Sequence, residues 1–275
     1  MKSITSLSSH RAVLRVSTTA VLGLVHRSAI EDISTTPTST HSSVVDQLRQ
    51  QWSSKGVPHG VDGYVCSRLA GLEANNSVMG TSFGADVVCR ALHSREAYTA
   101  YTHGQRAVSY SHESDVGAAC VHMVSCDQGD EEELSGFEGC SRLAVDTVDV
   151  ARMHALLARR PTFVGRWLPN IASSSAQPGG GTSQLACLHW GVRECLVKLL
   201  GDNKAVLMGD VLPLEPLLPT HIATRPACDI SDIQRLAVEG VLADRLRRKG
   251  MTPECVVGTI VFHGHLCVVV GARTL

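Results

Sequence analysis

Three charged side chains stand out by type and spacing: Asp146, Glu194 and Lys198. Asp146 follows the aliphatic run Leu143-Ala-Val, which predicts a strand that delivers a carboxylate at its end, held there by buried neighbours. Glu194 and Lys198 stand one helical turn apart in Trp190-Gly-Val-Arg-Glu-Cys-Leu-Val-Lys198, so a helix carries both on one face. Two carboxylates beside an ammonium can hold a divalent metal over a polyphosphate and move protons around it, which is the chemistry of phosphate transfer. Plainer alternatives exist for each. An acid at a strand end commonly caps the next turn. A Glu–Lys pair at this spacing can be an exposed salt bridge contributing about 0.3–0.5 kcal/mol. Trp190, Cys195, Leu196 and Leu199 weigh against the second alternative, because they make the helix largely apolar and leave a partly buried Glu and Lys in need of a ligand.

Elements must position these groups. After the Asp146 strand, a helix is expected from Val150 to about Ala158, then a Ser/Gly/Pro loop from Ala172 to Gln184, then a helix over Leu185–Leu200 that stops at Gly201. Ser231 and Gln234 have capping-box spacing for a helix ending before Gly250, with Ile233, Leu236, Val241 and Leu246 as its buried side. A closing hairpin follows over Cys255–Phe262 and Leu266–Ala272, and His263 and His265, flanking Gly264, belong to its turn rather than to a metal site. Upstream, Ser77–Leu92 fits a one-faced helix carrying Asp86 and Arg90 one turn apart. Residues 107–112 and 116–124 read as two strands joined across Glu113–Asp115, which puts Ser111 and His112 at the loop end. Each half thus has a helix before an aliphatic hairpin whose turn carries histidine, a weak internal repeat.

The expected organisation is a flexible N-terminal segment over residues 1–43, an N-terminal lobe over 44–126, an acidic linker over 127–140 and a C-terminal lobe over 141–275. The first thirty residues are free of acid, contain Lys2, Arg11, Arg15 and Arg27 and are rich in Ser and Thr. They fit either an organellar transit peptide or, over Ala12–Val25, the opening strand of the fold. A cytoplasmic or mitochondrial location follows from these two readings.

At 275 residues with 44% hydrophobic and 19% charged side chains the chain has ample material for a core, while aromatics at 4% leave packing to Val, Leu and Ala. The 25 basic and 26 acidic residues cancel, which excludes a global field for nucleic acid or an anionic membrane, and no apolar run is long enough to cross a bilayer. The 10 cysteines form no CxxC, and Cys89, Cys120, Cys195 and Cys267 sit in aliphatic runs, so reduced thiols are expected.

The run Leu-Ala-Val-Asp146-Thr-Val-Asp149-Val-Ala-Arg152 resembles the Gly-x-Asp-Ile segment of 4'-phosphopantetheinyl transferases, and Trp190-Gly-Val-Arg193-Glu194-Cys-Leu-Val-Lys198 resembles their Trp-x-x-Lys-Glu-x-x-x-Lys segment. Val108-Ser-Tyr-Ser111-His112 is similar to the Asn-x-Ser-His segment of the two-lobed members, and the last forty residues resemble the ending of the smaller holo-acyl-carrier-protein synthases. The order and separation of the segments agree with that family.

The resemblance implies an α/β (α+β) fold of two similar lobes forming a pseudo-dimer, each a small sheet packed on a long helix. It implies an enzyme that moves phosphopantetheine from coenzyme A to a serine of an acyl or peptidyl carrier protein, releases 3',5'-ADP and works as a monomer. Asp146 and Glu194 would ligate Mg²⁺, Glu194 would accept the serine proton directly or through water, and Lys198 would neutralise or protonate the departing phosphate. Ser111 and His112 would hold coenzyme A phosphate oxygens. Gly104-Gln105-Arg106 stands where the family has Gly-Lys-Pro, so Arg106 or Arg90 is expected to take over that clamp. In plainer terms Arg90 pairs with Asp86 and Ser111 caps a turn. The competing function is a non-catalytic protein of the same fold that binds coenzyme A or a carrier protein.

Overall fold

The computed structural model describes residues 9–34, 40–54, 60–79, 90–124, 136–167, 181–201 and 231–275. Two compact units divide the chain between Glu132 and Glu133. The described residues are mixed α/β, with one four-stranded antiparallel sheet in each unit. None of their helices is long and apolar enough to cross a membrane.

The first unit opens with the hairpin β1 (Arg11–Ser17) and β2 (Ala20–His26), continues through α1 (Ser28–Ser34), α2 (Thr40–Ser53), α3 (Val61–Met79) and α4 (Arg95–Tyr101), and closes with the hairpin β3 (Arg106–Glu113) and β4 (Val116–Met123). Its strand order is β1-β2-β4-β3. Residues 11–34 are therefore two strands and a helix of this unit, which corrects the expectation of a flexible segment through residue 43: the apolar run Ala12–Val25 supplies a hairpin. The long helix of this unit covers Val61–Met79; of the helix expected over Ser77–Leu92, residues 77–79 belong to the end of α3 and the middle falls outside the described residues. Tyr64, Val65, Cys66, Leu69, Ala70, Leu72 and Ala74 are all buried, so the helix has no polar face for a periodicity argument to find. Residues 80–89, including Asp86 and Cys89, lie outside the described residues.

Glycines let α3 lie unusually close to the sheet. A Cβ on Gly23 of β2 would fall 2.1 Å from the Ala70 carbonyl oxygen, and one on Gly117 of β4 would fall 2.0 Å from the Ser67 nitrogen. The core gathers under this helix, from Val13, Val21 and Val25 through Leu69 to Val108, Ala119 and Val121.

The second unit runs β5 (Arg142–Asp149), α5 (Val150–Arg159), α6 (Thr162–Trp167), α7 (Gly181–Leu200), β6 (Ser231–Ala237), α8 (Gly240–Arg248), then the hairpin β7 (Met251–Phe262) and β8 (His265–Thr274), in the order β5-β8-β7-β6. Ser231 and Gln234 do not open a helix. They lie in β6, where Gln234 pairs with Val257 and Leu236 with Cys255, and helix α8 starts only after Glu239. Of the four residues expected on a buried helical side, Leu236 and Leu246 are buried, whereas Ile233 and Val241 are exposed. The closing hairpin turns at His263-Gly264 with φ of 47° and 77°, the left-handed backbone a two-residue turn requires. Helix α7 stops at Gly201, φ 67°. The acidic stretch expected to link the halves falls largely outside the described residues.

Among the described residues, the elements of the two units follow a similar order: a strand, two shorter helices, a long helix, a further short helix and a hairpin whose second strand pairs with the first strand. The first unit adds β1 and the second adds β6 at the free edge. Both hairpins close on two residues, Ser114-Asp115 and His263-Gly264, so the ladders can be counted from the same point. Val116 pairs with His26 and Ala119 with Gly23; His265 pairs with Asp149 and Val268 with Asp146. On the long helices Gly71 faces Ala119 and Gly191 faces Val268. By that register Gly23 occupies the place of Asp146, and Ala74, three residues past Gly71, the place of Glu194.

Candidate metal and phosphate site

Strand β5 alternates as the two-residue period demands, with Ala144, Asp146 and Val148 facing α7. Asp146 lies within the strand, three residues before its end, and not at the end as expected; the terminal acid is Asp149, whose side chain caps α5 by accepting from the Arg152 backbone N–H. Asp146 is 7% exposed, a carboxylate set into an aliphatic surface.

Helix α7 brings the other two groups. Gly191 packs on β8 and β5, where a Cβ would meet Val268 Cγ2 at 2.7 Å and Val148 Cγ2 at 3.5 Å. One turn further, the Cys195 thiol donates to the Val268 carbonyl at 3.4 Å. This close seat lets Lys198 reach back to the strand: its Nζ donates to the Val145 carbonyl and to Asp146 Oδ1, both at 2.8 Å. In place of the Glu194–Lys198 surface bridge weighed as the plainer alternative, Lys198 pairs with Asp146, strand to helix.

Glu194 is half-buried, and among the described residues no hydrogen bond or ion pair engages its carboxylate. Burial first, and the Asp146 charge second, raise its proton affinity, against the opposing charges of Lys198 and Arg193. Arg193 is 1% exposed, the largest fully buried side chain among the described residues. One turn earlier, His189 is pushed down to about 4 by burial and by the Arg193 charge, so its imidazole is neutral at neutral pH. Sequence reasoning left Arg193 and His189 out of the site. The available signal was an arginine and a histidine one turn apart in a helix otherwise fit for a core. Trp190 packs on Phe163 of α6 with ring centroids 5.7 Å apart.

The arrangement offers two hard oxygen donors, one already balanced by an ammonium and the other free to take a proton or a cation. The Asp146 charge acts on Glu194, and neighbouring like charges favour either protonation or a shared cation, for which the oxygen donor set suits Mg²⁺.

The other expected residues are all in the first unit. Ser111 and His112 are neighbours on β3 and so point to opposite faces: His112 is exposed beside Gly63 and Trp52 on the α3 side, while Ser111 is buried on the other. A clamp built from both side chains is thereby corrected. Arg106 is at the other end of β3, about 17–20 Å along the strand from Ser111 and His112, and donates to Asn75 Oδ1 at 3.4 Å. Arg90 is exposed, and its carbonyl accepts from His93 Nδ1 at 2.7 Å. The structure therefore gathers Asp146, Glu194 and Lys198 and does not bring Ser111, His112 and Arg106 to one point.

No protein-family model matches the chain, and no curated protein matches it.

Proposed function

We propose that this protein transfers 4'-phosphopantetheine from coenzyme A to a serine of an acyl or peptidyl carrier protein, as a monomer, with the two units as paired lobes of a pseudo-dimer. The observation that carries the reading is the meeting of Lys198 with Asp146 next to a Glu194 that has no hydrogen-bond or ion-pair partner among the described residues. In this reading Asp146 and Glu194 hold Mg²⁺, which when bound supplies charge neutralisation to the pyrophosphate.

The chain's own groups do the rest. Glu194, with its raised proton affinity, takes the proton of the attacking serine hydroxyl directly or through water. The serine oxygen bonds to phosphorus as the bond to 3',5'-ADP breaks, and the Lys198 ammonium offsets or protonates the leaving phosphate oxygen. Ser111, His112, Arg90 and Arg106 are the proposed contacts to coenzyme A, individually and not as one clamp.

The test incubates purified protein with Mg²⁺, coenzyme A and several apo carrier proteins and follows the carrier serine by mass spectrometry. Modification by the wild type that is lost in EDTA and in Glu194→Gln supports the transferase. The second reading, a coenzyme A or carrier-binding protein without catalysis, draws on the pairing of Asp146 with Lys198, which already balances that charge. It predicts binding with no modification of any carrier.

A further inference from the structure

Among the described residues of the first unit, the Arg68 cation has no carboxylate partner. The Arg68 guanidinium of α3 lies between two rings, 4.4 Å from the centroid of Tyr64 and 3.9 Å from that of Tyr110. Tyr64 is one turn earlier on the same helix and Tyr110 stands on β3, so the packing of helix on strand builds the sandwich. Gly71 leaves the room: a Cβ there would come 2.9 Å from the Tyr110 ring. Arg68 Nη1 donates to Ser67 Oγ at 2.9 Å and Nη2 to the His93 carbonyl at 3.3 Å. Among the described residues no carboxylate pairs with Arg68, and its Nε–H and the Tyr110 hydroxyl are both buried without a partner. Burial lowers the proton affinity of Arg68 and raises that of Tyr110, so the phenol stays protonated and able to donate.

A guanidinium stays charged at any physiological pH, and withdrawing it from water without a carboxylate costs free energy that stacking on aromatic faces offsets only by about 1–2 kcal/mol. Both rings stand over the guanidinium carbon, so a ligand is met at the in-plane N–H edge, the fork that phosphate oxygens match. The Nη2 side is open: His93 and Arg90 are exposed next to it, linked by the bond from His93 Nδ1 to the Arg90 carbonyl. The nearby acid Glu96 is exposed and already engaged with Ser94 and backbone at the start of α4.

We propose that Arg68, the Tyr110 hydroxyl and the Arg90–His93 rim form an anion subsite on the first unit that takes a phosphate group. The Arg68 Nε–H and the Tyr110 hydroxyl are the buried donors without a partner there, which favours a ligand rich in acceptor oxygens. The subsite shares Arg90 with the proposed coenzyme A contacts but uses none of Asp146, Glu194 or Lys198, and phosphate binding to it is measured without any transfer.

The probe is inorganic phosphate added to the full chain in EDTA, read by calorimetry and by thermal unfolding against chloride at equal ionic strength. Saturable binding that raises the unfolding temperature is expected. Arg68→Lys keeps the charge and loses the fork, so affinity should fall roughly tenfold, and Tyr110→Phe should cost a few-fold. No stabilisation beyond that of chloride overturns the proposal. So does unchanged phosphate affinity in Arg68→Lys and Tyr110→Phe proteins that fold normally by circular dichroism.

Discussion

Lys198 Nζ lies 2.8 Å from Asp146 Oδ1 and the same distance from the Val145 carbonyl, so one ammonium ties the end of α7 to the middle of β5. The side chains are 25% and 10% exposed, which places the pair between a screened surface bridge and a buried one. Lys198→Met should destabilise the protein by about 2 kcal/mol, because it leaves the Asp146 carboxylate unbalanced against an aliphatic sheet. Urea midpoints of the two proteins measure this. A change under about 0.5 kcal/mol would mark the pair as an ordinary surface bridge.

Glu194 carries the opposite sign. Its folded-state pKa is raised above the ordinary 4.5, so the ionised side chain weakens the fold above the folded pKa, and that penalty disappears as pH falls below 4.5. Glu194→Gln should therefore be more stable than wild type near neutrality and equal to it at about pH 4. Under the transferase reading the same change lowers turnover by about 10²–10⁴-fold, the range for loss of a general base. Greater stability with lost transfer separates a functional acid from a structural one.

His189 should not titrate in the usual range. Its folded pKa of about 4 lies below the ordinary 6.5, so the unfolded chain binds the proton more readily and stability falls as pH drops from 6.5 towards 4. The loss is on the order of 3 kcal/mol by the lower limit, and a His189→Gln protein should lack it. Histidine NMR signals that remain in the neutral form at about pH 5.5 check the point directly.

Two glycines rank the helix seats. Gly23→Ala drives a Cβ to 2.1 Å from the Ala70 carbonyl oxygen, a collision with backbone that no rotamer relieves, and should cost about 3 kcal/mol or more. Gly191→Ala meets the Val268 side chain at 2.7 Å and should cost about 1–3 kcal/mol, while lifting α7 from β5 and reducing any transfer activity. Thermal unfolding gives the order, and equal costs would mean that the sheet yields under both helices.

Much of the second unit is legible in its sequence. The runs that form β5, β7 and β8 are aliphatic and end at turn residues, and α7 ends at the glycine that can take a left-handed backbone. The first unit is less legible because its long helix has no fully exposed face: its signal lies in how closely Ser67 and Ala70 approach Gly117 and Gly23, partners more than 40 residues away. Residues 231–237 have a helix-cap spacing, yet pairing with β7 makes them a strand, as tertiary hydrogen bonds outweigh local preference.

The sequence by itself determined which groups are able to do chemistry, since residue types and a one-turn spacing place Glu194 and Lys198 on one helical face whatever the fold. Only the tertiary structure decided that Lys198 binds Asp146 in preference to Glu194, because that choice depends on α7 lying against β5 through Gly191. Only it separated Ser111 from His112, since a strand turns neighbouring side chains to opposite faces. Burial, which raises the proton affinity of Glu194 and lowers that of His189, belongs to the packed molecule, because removing a charge from water takes contributions from segments far apart along the chain.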